Sequence, residues 1–347
     1  MLKKLEIKNF TVFEDITVEF APGLNVVIGE NGTGKSHLLK LGYCVMKSSW
    51  EAGKEKKKAS EAGLKPEMIS YHDLFTKNLL NTFGAESIDN LGSKSNSGIH
   101  VVGSFDDTGY QFSYNKSLWE SSGVTVRNNE KYMSVPPVFI PPKEVLTMYS
   151  WLPGLYGKYD FKLDQTYPDL TDLLQVPLLR SPDSTLIGNL VSVIQTTIGG
   201  KIIIKNNRFY LRLNNGTDRE VELIAEGFRK LGLLSYIVLN GTLEIGNTLF
   251  WDEPESNLNP LILKKLAKIL YELSELGFQI ILATHSLFLM KEIHILSSES
   301  QHPVSYISLE KKQGKVSVQQ VNDIGDLDVI PSLEAEIEQA PIFLNTP

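Results

Sequence analysis

Cysteine is almost absent from this 347-residue chain, in which Cys44 stands alone. A single thiol excludes an internal disulfide framework and is typical of a reducing compartment. No apolar run approaches the roughly 18 residues that span a bilayer, and the opening Met1–Glu6 lacks the apolar stretch of a signal peptide. Basic residues number 34 against 41 acidic ones, which excludes a uniformly basic nucleic-acid-binding coat but not a local basic patch. We therefore expect a cytoplasmic protein without a membrane partner.

The apolar residues follow patterns that predict a mixture of strands and helices. Alternation of apolar and polar residues in Leu5–Lys8 and Ile16–Phe20 predicts two strands. Leu24–Ile28 is apolar almost throughout, which is typical of a strand buried on both faces of a sheet. A helix is predicted from about Gly34 to Met46, and from Leu223 onward long helices alternate with buried strands. The chain is therefore predicted to have an α/β fold.

This regular pattern is interrupted twice in the middle of the chain. Ile99–Val102 and Tyr110–Tyr114 predict a β-hairpin around Asp106–Gly109, and Val138–Ile140 predicts a short strand. Lys201–Leu213 predicts a second hairpin, which turns at two asparagines. We expect a core of residues 1–48 and 200–320, a first insertion with a β-hairpin at 49–143, a helical insertion or lid at 144–199 and an acidic tail at 321–347.

A glycine-rich loop lies between the apolar strand and the first predicted helix. It matches the pattern G-x-x-x-x-G-K-[ST] with the residues Gly29, Glu30, Asn31, Gly32, Thr33, Gly34, Lys35 and Ser36. Glycines let the backbone N–H groups of such a loop turn inward around β- and γ-phosphates, and the helix N-terminus adds partial positive charge. Lys35 reaches the phosphate oxygens, and the Ser36 hydroxyl coordinates Mg²⁺. The loop predicts a site that binds phosphate groups together with Mg²⁺.

Two adjacent acids follow a buried strand far downstream. Thr248–Trp251 predicts this strand, which places Asp252 in the Mg²⁺ shell and Glu253 beside the γ-phosphate. There Glu253 can orient and polarise a water for in-line attack. His285 follows the next core strand, where its imidazole can donate to the γ-phosphate. We therefore predict Glu253 and His285 as catalytic residues, and Asp252 and Ser36 as metal ligands.

The order of these motifs along the chain resembles that of a known ATPase family. The opening Leu2–Phe10, the phosphate loop, the Asp252-Glu253 pair and His285 stand as in ABC-type, AAA-family ATPases that share the architecture of chromosome-segregation (SMC) and RecF heads. Among these the chain most resembles the compact bacterial ATPases grouped with the overcoming-lysogenization defect (OLD) nucleases. The resemblance implies a P-loop ATPase head with a mixed central sheet, flanking helices, an N-terminal antiparallel sheet and a helical insertion.

The resemblance also implies a signature motif that contacts the ATP of a second copy. The matching stretch is Leu223–Lys230, in which Ala225 stands where transporter-type relatives have a serine, and Glu226 replaces the first glycine. Gly227 and the helix behind it are kept, so Ala225 and Gly227 are expected to contact nucleotide through the backbone and the helix dipole. The turn at 256–259 resembles the D-loop of the family, which adds Asn257 to the expected nucleotide contacts.

The glutamine loop of the family has no counterpart here. After the Val138–Ile140 strand the chain reads Pro141-Pro142-Lys143-Glu144. Two interpretations stay open: Lys143 or Glu144 senses the γ-phosphate or the metal, or the segment is a capped helix start with charges that face solvent.

The implied mechanism needs two heads. Two copies sandwich two ATP molecules, each bound by the phosphate loop of one chain and the Gly227 region of the other. ATP binding closes this homodimer and hydrolysis reopens it. Compact ATPases of this group act in two-component bacterial anti-phage systems such as PARIS, Septu or abortive-infection pairs. The resemblance therefore implies a sensor or regulatory subunit with a separate effector protein, a nuclease or a toxin.

Two regions bear on that partner. OLD nucleases carry a nuclease domain after the position of His285, and no such domain is recognisable here; residues 321–347 instead interleave acids with apolar residues, which predicts a solvated amphipathic helix that covers a sheet edge. A group of aromatic residues in the helical insertion is a candidate partner surface because aromatic residues are enriched in interfaces. These residues are Tyr149, Trp151, Tyr156, Tyr159 and Phe161.

A second hypothesis is a RecF- or SMC-like DNA-repair ATPase that binds duplex DNA across closed heads. Seven lysines favour it: Lys54, Lys56, Lys57, Lys58, Lys264, Lys265 and Lys268. The acidic balance and the lack of a coiled-coil arm argue against it, so nucleic acid stays open as a partner. A transporter ATPase subunit is disfavoured by the opening Lys8-Asn9-Phe10, the missing glutamine and Ala225.

Overall fold

The computed structural model describes residues 1–63, 71–93, 98–105, 108–114, 127–128, 132–158, 163–178, 185–300 and 302–344. Across these ranges the strands form three sheets, and no helix is both long and apolar enough to cross a membrane. The largest sheet separates two layers of buried side chains.

This central sheet has six strands in the order β14-β13-β3-β12-β11-β7. Its strands are β3 (Leu24–Gly29), β7 (Val138–Ile140), β11 (Thr248–Asp252), β12 (Gln279–Ala283), β13 (Val304–Lys312) and β14 (Lys315–Val321). All pairings are parallel except that of the edge strand β14 with β13, so the sheet is mixed as expected. Every residue of β3, β11 and β12 is buried, which confirms the strands predicted from continuous apolar runs.

Successive side chains of a strand point to opposite faces of a sheet, and this alternation builds two cores. Val26 and Trp251 lie in the core formed with the helical insertion and the C-terminal helices. Val27 and Phe250 lie in the core formed with the N-terminal sheet and the first helix. The central strands thus join both layers and hold their carboxyl ends in fixed positions.

Nine helices flank the sheets in the described ranges. They are α1 (Lys35–Glu61), α2 (Tyr71–Phe83), α3 (Leu152–Lys158), α4 (Thr166–Leu173), α5 (Thr185–Ile198), α6 (Glu226–Leu239), α7 (Pro260–Glu275), α8 (Leu287–Ser300) and α9 (Pro331–Leu344). The start of α7 is fixed by an N-cap, because the Asn259 side chain accepts from the Ile262 amide at 3.0 Å and Pro260 follows at the first helical position.

The N-terminal sheet is antiparallel, as the resemblance implied, with the strand order β2-β1-β4-β5-β6. Its strands are β1 (Leu2–Phe10), β2 (Phe13–Glu19), β4 (Ile99–Phe105), β5 (Thr108–Tyr114) and β6 (Arg127–Asn128). The predicted β4–β5 hairpin is confirmed, while its turn residues Asp106 and Asp107 lie outside the described residues. Because β4 pairs with β1, part of segment 49–143 completes the N-terminal sheet.

A small three-stranded sheet contains the second predicted hairpin. It consists of β8 (Gly200–Lys205), β9 (Arg208–Leu213) and β10 (Asp218–Glu220). Asn206 and Asn207 connect β8 to β9 with φ angles of 51° and 57°. Asparagine tolerates this left-handed conformation, which two-residue hairpin turns require, so the prediction is confirmed.

The first helix is longer than predicted. α1 ends at Glu61 rather than near Met46, and it includes the whole charge run around Lys56. Lysine and glutamate are good helix formers, Lys58 pairs with Glu55 at 2.9 Å, and Ala52 is still buried against the core. The predicted helix end near Met46 is therefore wrong, because the helix continues past its apolar stripe into a run of charged residues.

The acidic tail forms a helix, α9, as predicted, and the segment between β14 and α9 also makes specific contacts with the sheet edge. Gln319 of the edge strand β14 accepts from the Asp328 amide at 2.9 Å and donates to the Asp326 carbonyl at 3.1 Å. Ile324 and Ile330 are partly buried against the core. The tail is therefore tied to the sheet edge by hydrogen bonds and by apolar packing.

Candidate nucleotide-binding site

The glycine loop links β3 to α1 at the carboxyl end of the central sheet. Gly29 and Gly34 have φ angles of 150° and 97°, which side-chain-bearing residues rarely adopt. A Cβ at Gly29 would lie 2.4 Å from the Leu309 backbone oxygen, and one at Gly34 would lie 2.6 Å from the Phe13 ring. Both positions therefore exclude a side chain by conformation and by space.

Lys35 lies folded against the loop that precedes it. Its side chain is buried, and its ammonium donates to the carbonyls of Gly29 at 2.7 Å and Glu30 at 3.0 Å. Burial lowers the pKa of Lys35, while the nearby carboxylates of Glu253 and Asp252 act in the opposite direction. The loop lysine and the distant acid pair thus meet at one place, where the ammonium can exchange carbonyl partners for phosphate oxygens.

Asp252 ends β11 and is 3% exposed. The Ser36 hydroxyl at the start of α1 lies near its carboxylate. Burial raises the pKa of Asp252 to about 6, the nearby Ser36 hydroxyl opposes this shift, and the charge of Glu253 adds to it. The Oδ1 atom of Asp252 is buried without a hydrogen-bond partner among the described residues. A carboxylate and a hydroxyl close to each other, with one carboxylate oxygen unsatisfied, fit a small divalent cation.

The protein would supply only a few of the coordination positions of such a cation and would leave the others to water and phosphate. No group of three or more His, Cys, Asp or Glu side chains in the described part of the chain could hold a metal ion. Mg²⁺ is commonly held by one or two protein oxygens, with water and substrate phosphates completing its octahedron. Ser36 and Asp252 match that donor set. Among the described residues, the histidines other than His285 form no cluster typical of a zinc site.

Glu253 follows β11 in a strained conformation. Its φ angle is 49°, and its amide donates to the Ala283 carbonyl at the end of β12 at 2.9 Å. A non-glycine residue in the left-handed region is uncommon and is often found at functional sites. Of the carboxylates around Lys35, that of Glu253 acts most strongly on the lysine pKa. The predicted base is therefore held beside the phosphate loop by a backbone anchor.

Lys230 is a functional candidate that the sequence analysis missed. It lies on α6 and is 2% exposed, yet its ammonium donates to the Ser256 carbonyl at 2.9 Å, to the Ser256 hydroxyl at 2.6 Å and to the Glu253 carbonyl at 3.5 Å. Burial lowers the pKa of Lys230. The available signal was a lysine within the apolar run of α6, and such a residue must find buried partners.

Glu255 is the second residue that was missed. It is 8% exposed, and its Oε1 accepts from the Thr284 hydroxyl at 2.7 Å and from the His285 amide at 2.9 Å. The Nδ1 atom of His285 lies 3.2 Å from the same oxygen, which leaves Nε2 as the outward ring nitrogen. His285 also lines a cavity of about 340 Å³ together with Gly29 and Asn31 of the loop. Glu255 therefore orients His285 at the edge of the phosphate loop.

The predicted signature and D-loop residues form a separate group. Ala225 caps α6, with its carbonyl accepting from the amides of Phe228 and Arg229. A Cβ on Gly227 would lie 2.7 Å from a methyl group of Leu258 and 4.0 Å from the Asn257 carbonyl. Gly227 and Asn257 are thus neighbours within one chain, and their contact with a nucleotide held by a second copy stays a prediction.

Glu144 corrects one interpretation of the missing glutamine loop. It is 6% exposed, forms an ion pair with Arg229 of α6 at 3.1 Å and accepts from the Leu146 amide and the Thr147 hydroxyl. No helix starts here, since a turn follows and α3 begins only at Leu152, and a solvent-facing Glu144 was also wrong, because the carboxylate is engaged inside the protein. Lys143 is exposed.

The proposed aromatic surface is only partly a surface. Tyr149 is buried and packs edge-on against Phe209 with ring centroids 4.7 Å apart, so its assignment to a partner surface was wrong. Trp151 is 47% exposed, and the Tyr156 hydroxyl donates to Gln165. The remaining two members, Tyr159 and Phe161, lie outside the described residues.

Comparison with known proteins adds a family and a fold. A family model described as "AAA domain, putative AbiEii toxin, Type IV TA system" matches residues 24–291, which run from β3 into α8. The SMC head bound to the C-winged helix domain of ScpA superimposes with a TM-score of 0.57 at 14% identity, covering 92% of this chain and 98% of that one. The Smc head domain with an extended coiled coil, bound to the C-terminal domain of ScpA derived from Pyrococcus furiosus, gives 0.54 at 12% identity and 99% coverage of both chains. The predicted SMC-like, ABC-type ATPase fold is confirmed.

Similarity to curated proteins is confined to short segments. The DNA replication and repair protein RecF of Ligilactobacillus salivarius is 50% identical over 42 residues, 12% of this chain and 11% of RecF. The DNA repair protein RecN of Bacillus subtilis is 51% identical over 39 residues, 11% of this chain and 7% of RecN. The DNA double-strand break repair Rad50 ATPase of Archaeoglobus fulgidus is 48% identical over 40 residues, 12% of this chain and 4% of Rad50. The matches thus span about a tenth or less of each relative.

Proposed function

The chain belongs to the AAA-domain family whose model covers residues 24–291, and from this we propose that it binds ATP with Mg²⁺ and hydrolyses it. The observation that carries the proposal is the meeting of Lys35, Ser36, Asp252 and Glu253. The Ser36 hydroxyl lies near Asp252, and the charges of both acids act on Lys35. A nucleotide phosphate at the loop would therefore meet a cation site and a base at once.

Each residue has a distinct role in this proposal. The backbone N–H groups of the loop and the Lys35 ammonium bind the phosphates, while Ser36 and Asp252 would hold Mg²⁺, which neutralises developing charge on the phosphoryl oxygens when bound. Glu253 orients water and accepts its proton. His285 donates from Nε2 to the γ-phosphate, because Glu255 occupies the Nδ1 side of the ring.

We further propose that hydrolysis requires two copies arranged head to head. Leu223 and Leu261 are each 77% exposed and lie close in sequence to Ala225 and to the turn that contains Asn257. Large exposed apolar side chains favour an interface. In the dimer, Ala225, Gly227 and Asn257 of one copy would face the nucleotide held by the other, and a group supplied in this way can change the rate by about 10³–10⁵.

Substitution of the base tests both parts of the proposal. Glu253→Gln should bind ATP, lose turnover and accumulate as a dimer in size-exclusion chromatography with light scattering. The exposed surface variant Glu275→Gln is the matched control and should hydrolyse ATP like the wild type. A Glu253→Gln protein with wild-type turnover would falsify Glu253 as the base, and a protein that stays monomeric with ATP bound would remove the head-to-head arrangement.

For the biological role we propose a cytoplasmic regulatory ATPase in an OLD-like bacterial anti-phage system with a separate effector protein. The support is the toxin named in the family description and the exposed Trp151 on the helical insertion. Cells that express the chain with the proteins encoded beside it should form fewer phage plaques than cells with Lys35→Ala. Equal plaque numbers with both forms would contradict this role.

The alternative is a DNA-repair ATPase, which the names of the short-segment relatives favour. The lysines support it in that Lys57, Lys58, Lys264, Lys265 and Lys268 are all exposed, although Lys58, Lys264 and Lys268 also form surface ion pairs within the chain. Duplex DNA binding, measured by fluorescence anisotropy, should then weaken steeply with salt and be lost in Lys57→Gln/Lys265→Gln. Absence of binding at low salt would remove this alternative.

A further inference from the structure

A second cavity lies away from the phosphate loop, where β7 and β11 begin. Its volume is about 540 Å³, within the range of small-molecule sites. α1 and α4 form one side, and the segments that precede β7 and β11 form the other. The residues that matter for its chemistry are Lys47, Trp50, Asp169, Asp172, Glu244 and Asn247.

The deepest indication of a ligand is the amide of Asn247, which is 2% exposed. Its Nδ2 atom donates to the Thr242 carbonyl at 3.1 Å and to the Pro136 carbonyl at 3.4 Å. Because both partners are acceptors, the orientation of the amide is fixed. Its Oδ1 atom has no hydrogen-bond partner among the described residues. Buried acceptors are almost always satisfied, so this unpaired oxygen, on a residue that lines the cavity, calls for a donor.

The charges around the cavity favour a cation. The buried Lys47 is neutralised by Asp169, whose Oδ2 lies 2.5 Å from the ammonium and also accepts from the Tyr43 hydroxyl at 2.7 Å. Asp172 and Glu244 line the opening, and neither forms an ion pair with a described residue. Glu51, whose carboxylate lies 3.6 Å from the Lys47 ammonium, and Lys54 also line the cavity, so its lining carries four carboxylates against two ammonium groups.

The apolar wall suits a body attached to that cation. The Trp50 ring lies at the cavity, where the Lys54 ammonium sits 4.9 Å from its centroid, so the ring offers its remaining surface to an apolar stem rather than to a charge. Pro137 and Leu173 add aliphatic surface. A ligand that matches all three features has N–H donors, a positive charge and an apolar stem.

We propose that this cavity binds an alkyl amine or alkyl guanidinium, with an N–H donating to Asn247 Oδ1 and the charge balanced by Asp172 and Glu244. The same chemistry is offered by a free metabolite and by an arginine side chain of a partner protein. Because the site shares no residue with the phosphate loop, binding is independent of nucleotide.

Isothermal titration calorimetry with agmatine tests the proposal, with N-butylurea as an uncharged ligand that keeps donors and a stem. Agmatine should bind at least tenfold more tightly than N-butylurea, and Asp172→Asn/Glu244→Gln should weaken it by about tenfold, which is 1.4 kcal/mol. Both substitutions are at exposed positions and should leave the melting temperature unchanged. Glu275→Gln is the matched surface control, and Lys35→Ala should bind agmatine like the wild type.

The source of the cation is distinguished by a capped Gly-Arg-Gly peptide. Tighter binding of agmatine assigns the cavity to a free amine or guanidine, whereas tighter binding of the peptide assigns it to an arginine of a partner chain. The proposal is overturned if neither binds, if N-butylurea binds as well as agmatine, or if Asp172→Asn/Glu244→Gln leaves agmatine affinity unchanged.

Discussion

The buried ammonium of Lys230 holds the turn that follows the acid pair, and its replacement by methionine measures how much this contributes. The ammonium donates to the carbonyl and hydroxyl of Ser256, three residues beyond Glu253. Ser256 in turn donates through its hydroxyl to the Glu253 carbonyl at 2.8 Å. Removal of the ammonium therefore frees the segment that fixes the backbone of the predicted base.

The magnitude follows from the two hydrogen bonds to Ser256. A hydrogen bond to a charged group contributes about 1.5–3 kcal/mol net, so two contribute about 3–6 kcal/mol. Desolvation of the buried ammonium, which lowers the pKa of Lys230, reduces this gain. Methionine fills a similar volume, so no large cavity forms, and we expect Lys230→Met to lower the free energy of unfolding by about 2–4 kcal/mol.

The assay is urea unfolding followed by circular dichroism, combined with steady-state ATP turnover. Turnover at saturating ATP should fall by about tenfold, because Glu253 is no longer held in its left-handed conformation. Lys265→Met is the matched control, since Lys265 is exposed on α7. If Lys230→Met has a free energy of unfolding within about 0.5 kcal/mol of the wild type and the same ATP turnover rate, the ammonium does not hold this turn.

One further substitution and one thiol reaction test other parts of the structure. Glu255→Gln keeps the size of the side chain but removes the charge that orients His285. Turnover should therefore fall by about tenfold, while the ATP affinity measured by calorimetry changes little. A loss of affinity without loss of turnover would contradict this. Burial raises the pKa of the Cys44 thiol to about 12, which leaves about one thiolate in 10⁴ at pH 8. The native protein should therefore not react with a thiol-disulfide reagent at pH 8, whereas the denatured chain should release one equivalent; rapid reaction of the native form would show that Cys44 is accessible.

The phosphate loop could be predicted from the sequence because its signal is local. The apolar run before Gly29 and the helix after Ser36 lie within one stretch of chain, and strand, loop and helix follow each other in the fold. The acid pair was predictable for the same reason, since β11 ends at Asp252. The order of the motifs along the chain, which resembles that of a known family, added the expectation that the phosphate loop and the acid pair lie at one site.

Glu255 and Lys230 could not be predicted because their partners are distant in sequence. Glu255 binds Thr284 and His285, and Lys230 binds Ser256. Nothing in the local pattern distinguishes Glu255 from an exposed charge, and for Lys230 the only local signal is its place within the apolar run of α6. Only the parallel neighbourhood of β11 and β12, and the packing of α6 behind them, makes these charges buried and necessary.

The predicted C-terminal end of α1 was wrong for a different reason. The apolar stripe weakens after Met46, whereas the helix continues through residues whose propensity and i,i+3 pairing support it without a core. Pairing of β4 with β1 was equally beyond local patterns, because more than eighty residues separate the two strands in sequence. The periodicity of apolar residues and the composition therefore predicted that helices and strands exist better than where they end or which strands pair.

The central claim is that the glycine loop and the distant acid pair bind one Mg²⁺–ATP, and titration calorimetry of ATP with Mg²⁺ or with EDTA tests it most directly. The wild type should bind ATP more tightly when Mg²⁺ is present. Lys35→Ala should abolish binding in both conditions, and Asp252→Asn should bind ATP equally with and without Mg²⁺. Wild-type affinity in Lys35→Ala, or an undiminished Mg²⁺ effect in Asp252→Asn, would contradict the shared site.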